Sequence, residues 1–285
     1  MSDPSRTEFT AITLSIADGV AVAEIENPPV NIFSVELFRD LRALPDHLEQ
    51  HTDARVLVLR SANPDFFIAH YDVTQILLAP TDEPPVRETE LKGFHQMCEQ
   101  YRTMSIPTIC EIDGRVGGGG GELSASCDMR FGTMGKTILC QMEVPLGILP
   151  GGSGTQRLPR MLGRGRAMEI VLGGDDIDAA TLENWGWLNR ALPAGELRPF
   201  VDRLAARIAS FPPEAVSRAK ASVLAAGPDP KEGLITEALL FQETLRYPSS
   251  QSRMQAFMNQ GGQTVEGESR VGALGAELGD SASQQ

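Results

Sequence analysis

Apolar and polar residues alternate over Ile12 to Ile16 and again over Val20 to Ile25, on either side of Asp18-Gly19. That dipeptide suits a tight turn with positive φ, so the pattern predicts an opening β-hairpin. Asn27-Pro28-Pro29 then breaks the strand. Ser34 stands where an N-cap belongs, and Val35, Leu37, Phe38, Leu41 and Leu44 recur at roughly helical spacing, which predicts a helix. Arg55 to Leu59 reads as a compact buried strand, followed by a loop from Phe66 to Asp72, the kind of place where α/β proteins put chemistry. From Ala79 to Pro85 the residues turn to Pro, Asp and Glu, which predicts a mobile surface loop able to cover a pocket, before a helix from about Glu88 to Arg102. Pro107 to Ile112 is another strand, Gly114 to Gly121 a glycine-rich turn, and a helix is expected from Glu122 to near Asp128. Strands and helices alternate to about Ile208, which predicts an α/β core over residues 1–210. After Phe211-Pro212-Pro213 the pattern is purely helical: Val216, Ala219 and Val223 share one face, Gly227-Pro228 is a stop, and a second long helix runs from about Gly233 to Arg246. A dependent helical segment over 211–262 is therefore expected, with little order in the Gly-, Gln-, Ser- and Glu-rich 263–285.

Composition narrows the function. The 285 residues are 41% hydrophobic and 22% charged, ordinary for a globular enzyme. The formal net charge of −13 argues against nucleic acid, whose affinity comes largely from Lys and Arg. A coenzyme phosphate is still acceptable, since a few local cations or a helix N-terminus can hold one. Cys98, Cys110, Cys127 and Cys140 form no CxxC pair and lie in or beside apolar runs, so reduced thiols and a cytoplasmic protein are expected. No apolar stretch reaches the ~18 residues of a membrane span, and Met1 to Thr10 lacks the pattern of a signal peptide.

The most unusual stretch is Gly117 to Gly121 followed by Glu122, five glycines between a strand and a helix. Residues without Cβ let a ligand approach the backbone, and N–H groups at a helix start carry the positive end of its dipole, which suits an oxyanion. A tight structural crossover or a hinge reads the same glycines equally well. A phosphate-binding P-loop does not, because no Lys-Ser or Lys-Thr follows. Glu122 and Glu143 are the candidate acids. Glu143 sits in Gln141-Met142-Glu143-Val144-Pro145, among neighbours that would desolvate it and raise its pKa into a useful range. Either glutamate alone would also suit a surface.

Five ordered stretches together resemble the crotonase superfamily, the enoyl-CoA hydratase and isomerase family. They are Asn27-Pro28-Pro29-Val30-Asn31; Phe67 to Val73; Gly114 to Leu123; Glu143 to Gly147 with Pro150 to Leu158; and Gly186 to Arg190. The resemblance covers residues 12–210. It implies a superhelix of repeated ββα units with a C-terminal helical trimerisation segment, a homotrimer or a hexamer, and an acyl-CoA substrate with no separate cofactor or metal. It places the oxyanion-hole N–H groups on Tyr71 and Gly119, the two hydratase glutamates on Glu122 and Glu143, and thioester contacts on Val30, Ile68, Ala69, Asp72 and Gly118. Both glutamates present favours hydration of 2-enoyl-CoA by a hydro-lyase. Double-bond isomerisation, acyl-CoA hydrolysis or decarboxylation, and a catalytically silent acyl-CoA-binding scaffold remain as alternatives.

Several positions depart from the family pattern. His70 and Tyr71 replace small residues at the oxyanion turn, with His70 expected to bond loop backbone. Glu111 interrupts an otherwise apolar strand, and Gly121 stands where the family has a side chain. The C-terminal cations that meet the coenzyme are not evident, with Arg246 and Arg253 as substitutes. Trp185 and Trp187 are read as packing, His47, His51 and His95 lack metal-site spacing, and Ser153 lacks a nucleophile-elbow motif.

Overall fold

The computed structural model describes residues 9–282. Strands β1 (Ile12–Ala17) and β2 (Val20–Ile25) form the expected hairpin, turning at Asp18 and Gly19 with φ of 52° and 78°. Helix α1 (Val35–His51) begins at Ser34, whose hydroxyl accepts from the Leu37 N–H. Strand β3 (Val56–Ser61) pairs in parallel with β2, and β4 (Phe66–Ile68) leads through Ala69 to Asp72 into the short helix α2 (Val73–Leu77). Helix α3 (Gly93–Thr103) is followed by β5 (Thr108–Ile112) and β6 (Arg115–Gly117).

Helix α4 (Gly118–Ser126) starts four residues before the sequence-based expectation. Four glycines expected in a turn are its first residues, and Gly118, at φ 41°, makes the bend into it. Gly has poor helix propensity, but tertiary partners hold the helix: the buried Arg130 guanidinium donates to the Ser124 and Cys127 carbonyls at its C-terminal end. Strand β7 (Met129–Thr133), β8 (Ile138–Cys140), α5 (Gly154–Leu162), α6 (Arg164–Gly173), β9 (Ile177–Asp178), α7 (Ala179–Trp185), β10 (Arg190–Leu192) and α8 (Leu197–Ala209) complete the core.

A six-stranded sheet runs β1-β2-β3-β5-β7-β10, antiparallel only at β1-β2, and a smaller sheet runs β4-β6-β8-β9. Strand periodicity sends Val56 and Val58 to one face, against Val201 and Ala205 of α8, while Leu57 and Leu59 join the main core with Leu37, Leu41, Tyr101 and Trp187. Glu111 lies buried in β5 because Arg60 and Arg198 reach it at 3.0 and 3.1 Å, and Asp202 takes Arg60 at 2.6 Å. Glycine at 121 has a packing reason too. A Cβ at Gly121 would meet Gln141 Oε1 at 2.6 Å and Leu139 at 2.9 Å.

The C-terminal part is helical: α9 (Pro213–Leu224), α10 (Lys231–Leu245), α11 (Pro248–Asn259), α12 (Val265–Glu268) and α13 (Val271–Ala282). The last two correct the expectation of little order after residue 263. Small residues dilute the local apolar signal, but Val271, Leu274 and Leu278 are buried against Met254 and Phe257 of α11 and against Cys140, Met142 and Ile148 of the core. No helix among the described residues is long and apolar enough to cross a membrane.

Candidate active site

The Asn31 side chain, on a left-handed backbone at φ 53°, donates to Ser61 Oγ at 2.8 Å and to the Phe66 and Phe67 carbonyls at 3.2 and 3.0 Å. It thereby fixes β4 and the turn after it. The Phe33 N–H donates to the His70 carbonyl at 2.8 Å and the Phe33 carbonyl accepts from the Asp72 N–H at 3.3 Å. In this bridge the intervening Tyr71 turns its own N–H away from Phe33. Neither His70 nor Tyr71 has positive φ, so the side chains that replace small residues here need no left-handed backbone.

Tyr71 and Gly119 line one cavity of about 390 Å³, together with Glu122 and Glu143. Gly119 lies in the first turn of α4, where N–H groups lack intrahelical partners. The remaining walls are mostly apolar, with Phe38, Phe94, Ile148, Phe241 and Leu245. Phe94 is the centre of an aromatic cluster, 5.0 Å from Phe33, 6.2 Å from Phe38 and 6.0 Å from Tyr71 between ring centroids.

The Gly152 and Gly154 N–H groups each donate to Glu122 Oε1 at 2.8 Å. Both positions need glycine for this approach: a Cβ at Gly152 would run into Glu122 Oε2, and one at Gly154 would stand 3.0 Å from Oε1. Glu143 Oε2 accepts from the Gln141 amide at 3.3 Å, and a Cβ at Gly118 would stand 2.9 Å from Glu143 Oε1. Burial, then the charges of Glu143 and Glu237, hold the Glu122 carboxyl well above the usual carboxylate range. Burial likewise pushes Glu143 up to about 7, although its hydrogen bonds and nearby His70 pull the other way. Carboxyls raised in this way can exchange protons with a bound carbon acid or water.

The sequence-derived contact residues do not all meet in this cavity. Val30, Ile68 and Ala69 are buried and do not line it, and Asp72 caps α2 by accepting from the Thr74 N–H. Gly118 lies beneath Glu143. His70 bonds loop backbone as expected, 2.7 Å from the Tyr71 carbonyl, but its other nitrogen lies 2.9 Å from Glu268 Oε1 in α12. Burial alone would lower its pKa; the charge and hydrogen bond of Glu268 outweigh this and raise it. Arg246 donates to the Thr81 carbonyl and Arg253 to those of Pro145 and Leu278. Sequence reasoning missed another buried acid whose charge reaches Glu122 and Glu143, Glu237 of α10, paired with His95 at 2.8 Å. Its one trace in the sequence is its helical alignment with Phe241 and Leu245 at spacings of four.

Comparison with known proteins agrees with this geometry. The family model described as enoyl-CoA hydratase/isomerase matches residues 15–267. An Arabidopsis thaliana protein named "Probable enoyl-CoA hydratase 2, mitochondrial" is 31% identical over 225 residues, 78% of this chain and 73% of the relative. A crystal structure from Streptomyces avermitilis, described as a candidate enoyl-CoA hydratase, superposes with a TM-score of 0.87 at 36% identity, covering 96% of this chain and all of that one. An enoyl-CoA hydratase from Bacillus anthracis gives a TM-score of 0.70 at 27% identity over 88% of this chain and 97% of its own. The chain belongs to the enoyl-CoA hydratase/isomerase family of the crotonase superfamily.

Proposed function

We propose that this protein adds water across the double bond of 2-enoyl-CoA thioesters, with Glu122 and Glu143 as the reacting acids. The observation that carries the reading is that both carboxyls, each raised by burial, line the same cavity as Tyr71 and Gly119. The thioester carbonyl accepts from the backbone N–H groups of Tyr71 and Gly119, which stabilise the enolate oxygen. A donor of this kind contributes about 2.7–4 kcal/mol to transition-state stabilisation. The ionised member of the glutamate pair takes a proton from water as the oxygen bonds to Cβ, and the protonated member delivers its proton to Cα. The pair ends with the same number of protons it began with, and no cofactor beyond the coenzyme A of the substrate is required. Val30, Ile68, Ala69, Asp72 and Gly118 act behind the reacting atoms by holding the turn and helix that present the two donors.

The helical segment 211–262 serves assembly into a trimer or hexamer in this reading. Its support is that α9 has no buried residue within the single chain and exposes Val223. Sedimentation of the purified protein reads that state directly.

The deciding assay follows the near-ultraviolet absorbance of a short enoyl-CoA on adding enzyme, with Glu143→Gln as the control. Decay that the substitution abolishes, with a product heavier by one water, supports hydration. A product of unchanged mass assigns isomerisation, and binding without turnover over a broad thioester panel assigns a silent scaffold.

A further inference from the structure

Helix α10 gives the cavity two of its apolar residues, Phe241 and Leu245. One turn before them the same helix face carries Glu237, which is 1% exposed and has no part in the proton transfers above. Its Oε1 lies 2.8 Å from His95 Nε2 on α3, and its Oε2 accepts from the Thr155 hydroxyl on α5. Thr155 directly follows Gly154, whose N–H, with that of Gly152, donates to Glu122 Oε1 at 2.8 Å. The chain of bonds therefore starts on α3, crosses α10 and ends on a carboxylate in the cavity. Ser153, between the two donors, sits at φ 118°, a backbone that an ordinary residue adopts only when its surroundings enforce it.

We propose that Glu237, anchored by His95, is a positioning residue for the acid pair: it fixes the Gly152–Thr155 turn that orients Glu122 and sets a third buried carboxylate against Glu122 and Glu143. The inference rests on the reading of those two glutamates as the reacting acids. A carboxylate that merely tied α10 to the core would have no reason to end its bonds on that turn. Its field also reaches both acids, raising each.

The charged groups around Glu237 lie on the elements packed against it. His95 faces it from α3, Glu122 from α4, and Glu143 from the segment after β8. Arg157 of α5 is held by Glu99 at 2.6 Å and by the Ser153 hydroxyl. Lys231 and Glu232 of α10 pair at the surface with Glu90 and Arg87, and Arg253 of α11 turns to the Pro145 carbonyl.

Glu237→Gln removes the charge and leaves one acceptor oxygen where His95 and Thr155 now have one each, and Thr155→Val removes the tie while leaving the charge. In Glu237→Gln, kcat is expected to fall on the order of tenfold to a hundredfold, the cost of a displaced catalytic group. Both limbs of its pH profile should move to lower pH, because losing a neighbouring negative charge lets both carboxyls ionise more readily. Thr155→Val should lower kcat without moving the limbs, and Glu237→Asp should restore them. Infrared titration of the protonated carboxyl stretch in substrate-free protein reads the same shift without any turnover. A displaced titration with no hydration in wild type would therefore spare this inference and sink only the assigned reaction. An unmoved titration and unmoved limbs in Glu237→Gln make Glu237 a structural pair only and overturn the proposal. Should Glu237→Gln fail to fold, Thr155→Val decides: unchanged kcat overturns it.

Discussion

Glu122 and Glu143 are acids that water scarcely solvates, and their environment fixes the pH range in which they can work. Because they interact, the protons leave in two steps that belong to the pair. Activity should rise as the base ionises near pH 7, where burial has pushed Glu143, and fall again as the remaining proton is lost. A kcat/KM profile whose acid limb sat near the ordinary glutamate value of about 4.3 would contradict a buried pair. Gly120 makes a second point at this scale. A Cβ there would stand 2.5 Å from the Ile68 carbonyl oxygen and 2.7 Å from Ile68 Cβ. Alanine normally stabilises a helix interior by about 1 kcal/mol over glycine. Here backbone is in the way, and overpacking costs about 1–3 kcal/mol, so Gly120→Ala should lower the urea midpoint and, by shifting α4, reduce kcat. The two acids were legible in the sequence because one follows a glycine run and the other sits among apolar neighbours. His95 and Glu237 were not, because 142 residues separate them and no local pattern reports a contact at that distance.

At the scale of elements, the hairpin, α1, β3 and β5 follow from period and punctuation alone, whereas the three residues of β4, Phe66–Ile68, lie in a stretch that reads as a loop. The start of α4 does not follow either, since local propensity disfavours glycine in a helix and the packing against β4 and β8 that overrides it is invisible in a single sequence. The turn before α2 shows the same limit. Its shape depends on His70, and both nitrogens of that ring face acceptors, an arrangement that favours the doubly protonated imidazolium. His70, raised in the folded chain, contributes stability fully present below its unfolded value of about 6.5 and lost as pH rises through its folded value. Glu268 is lowered: burial opposes the charge, but His70 outweighs it. Its contribution is present above its unfolded value of about 4.3 and lost as pH falls through its folded value. Glu268→Gln should therefore cost about 1–3 kcal/mol between those limits. In urea melts, the gap between variant and wild type should close as pH climbs past the His70 transition; a gap independent of pH would mean that the pair is held without charge.

Across the whole molecule, the division of the sequence into core, helical segment and tail gives way to a shared interior. Val73, Cys140, Met142 and Ile148 come from the first 210 residues, while Leu245, Met254, Phe257, Leu274 and Leu278 come from the rest, and all lie in one cluster. The cavity repeats the arrangement, with Phe241 and Leu245 beside Tyr71 and Glu122. Neither sharing could be read from the sequence, because each helix near the C-terminus shows an apolar face without showing what covers it. Val271, Leu274 and Leu278 of α13 are buried in that cluster. Burial of three such side chains contributes roughly 4–9 kcal/mol as an upper estimate, against a typical total stability of about 5–15 kcal/mol. Deleting residues 264–285 also removes Glu268, leaving His70 buried without its carboxylate. The full chain should therefore unfold in one transition seen alike by far-ultraviolet dichroism and tryptophan fluorescence. The truncated chain should lose most of its stability and, with the Tyr71 turn unpinned, its turnover. If the truncated chain kept the wild-type midpoint and rate, α12 and α13 would only cover the surface, and the Tyr71 turn would be held by Asn31 and Phe33 alone.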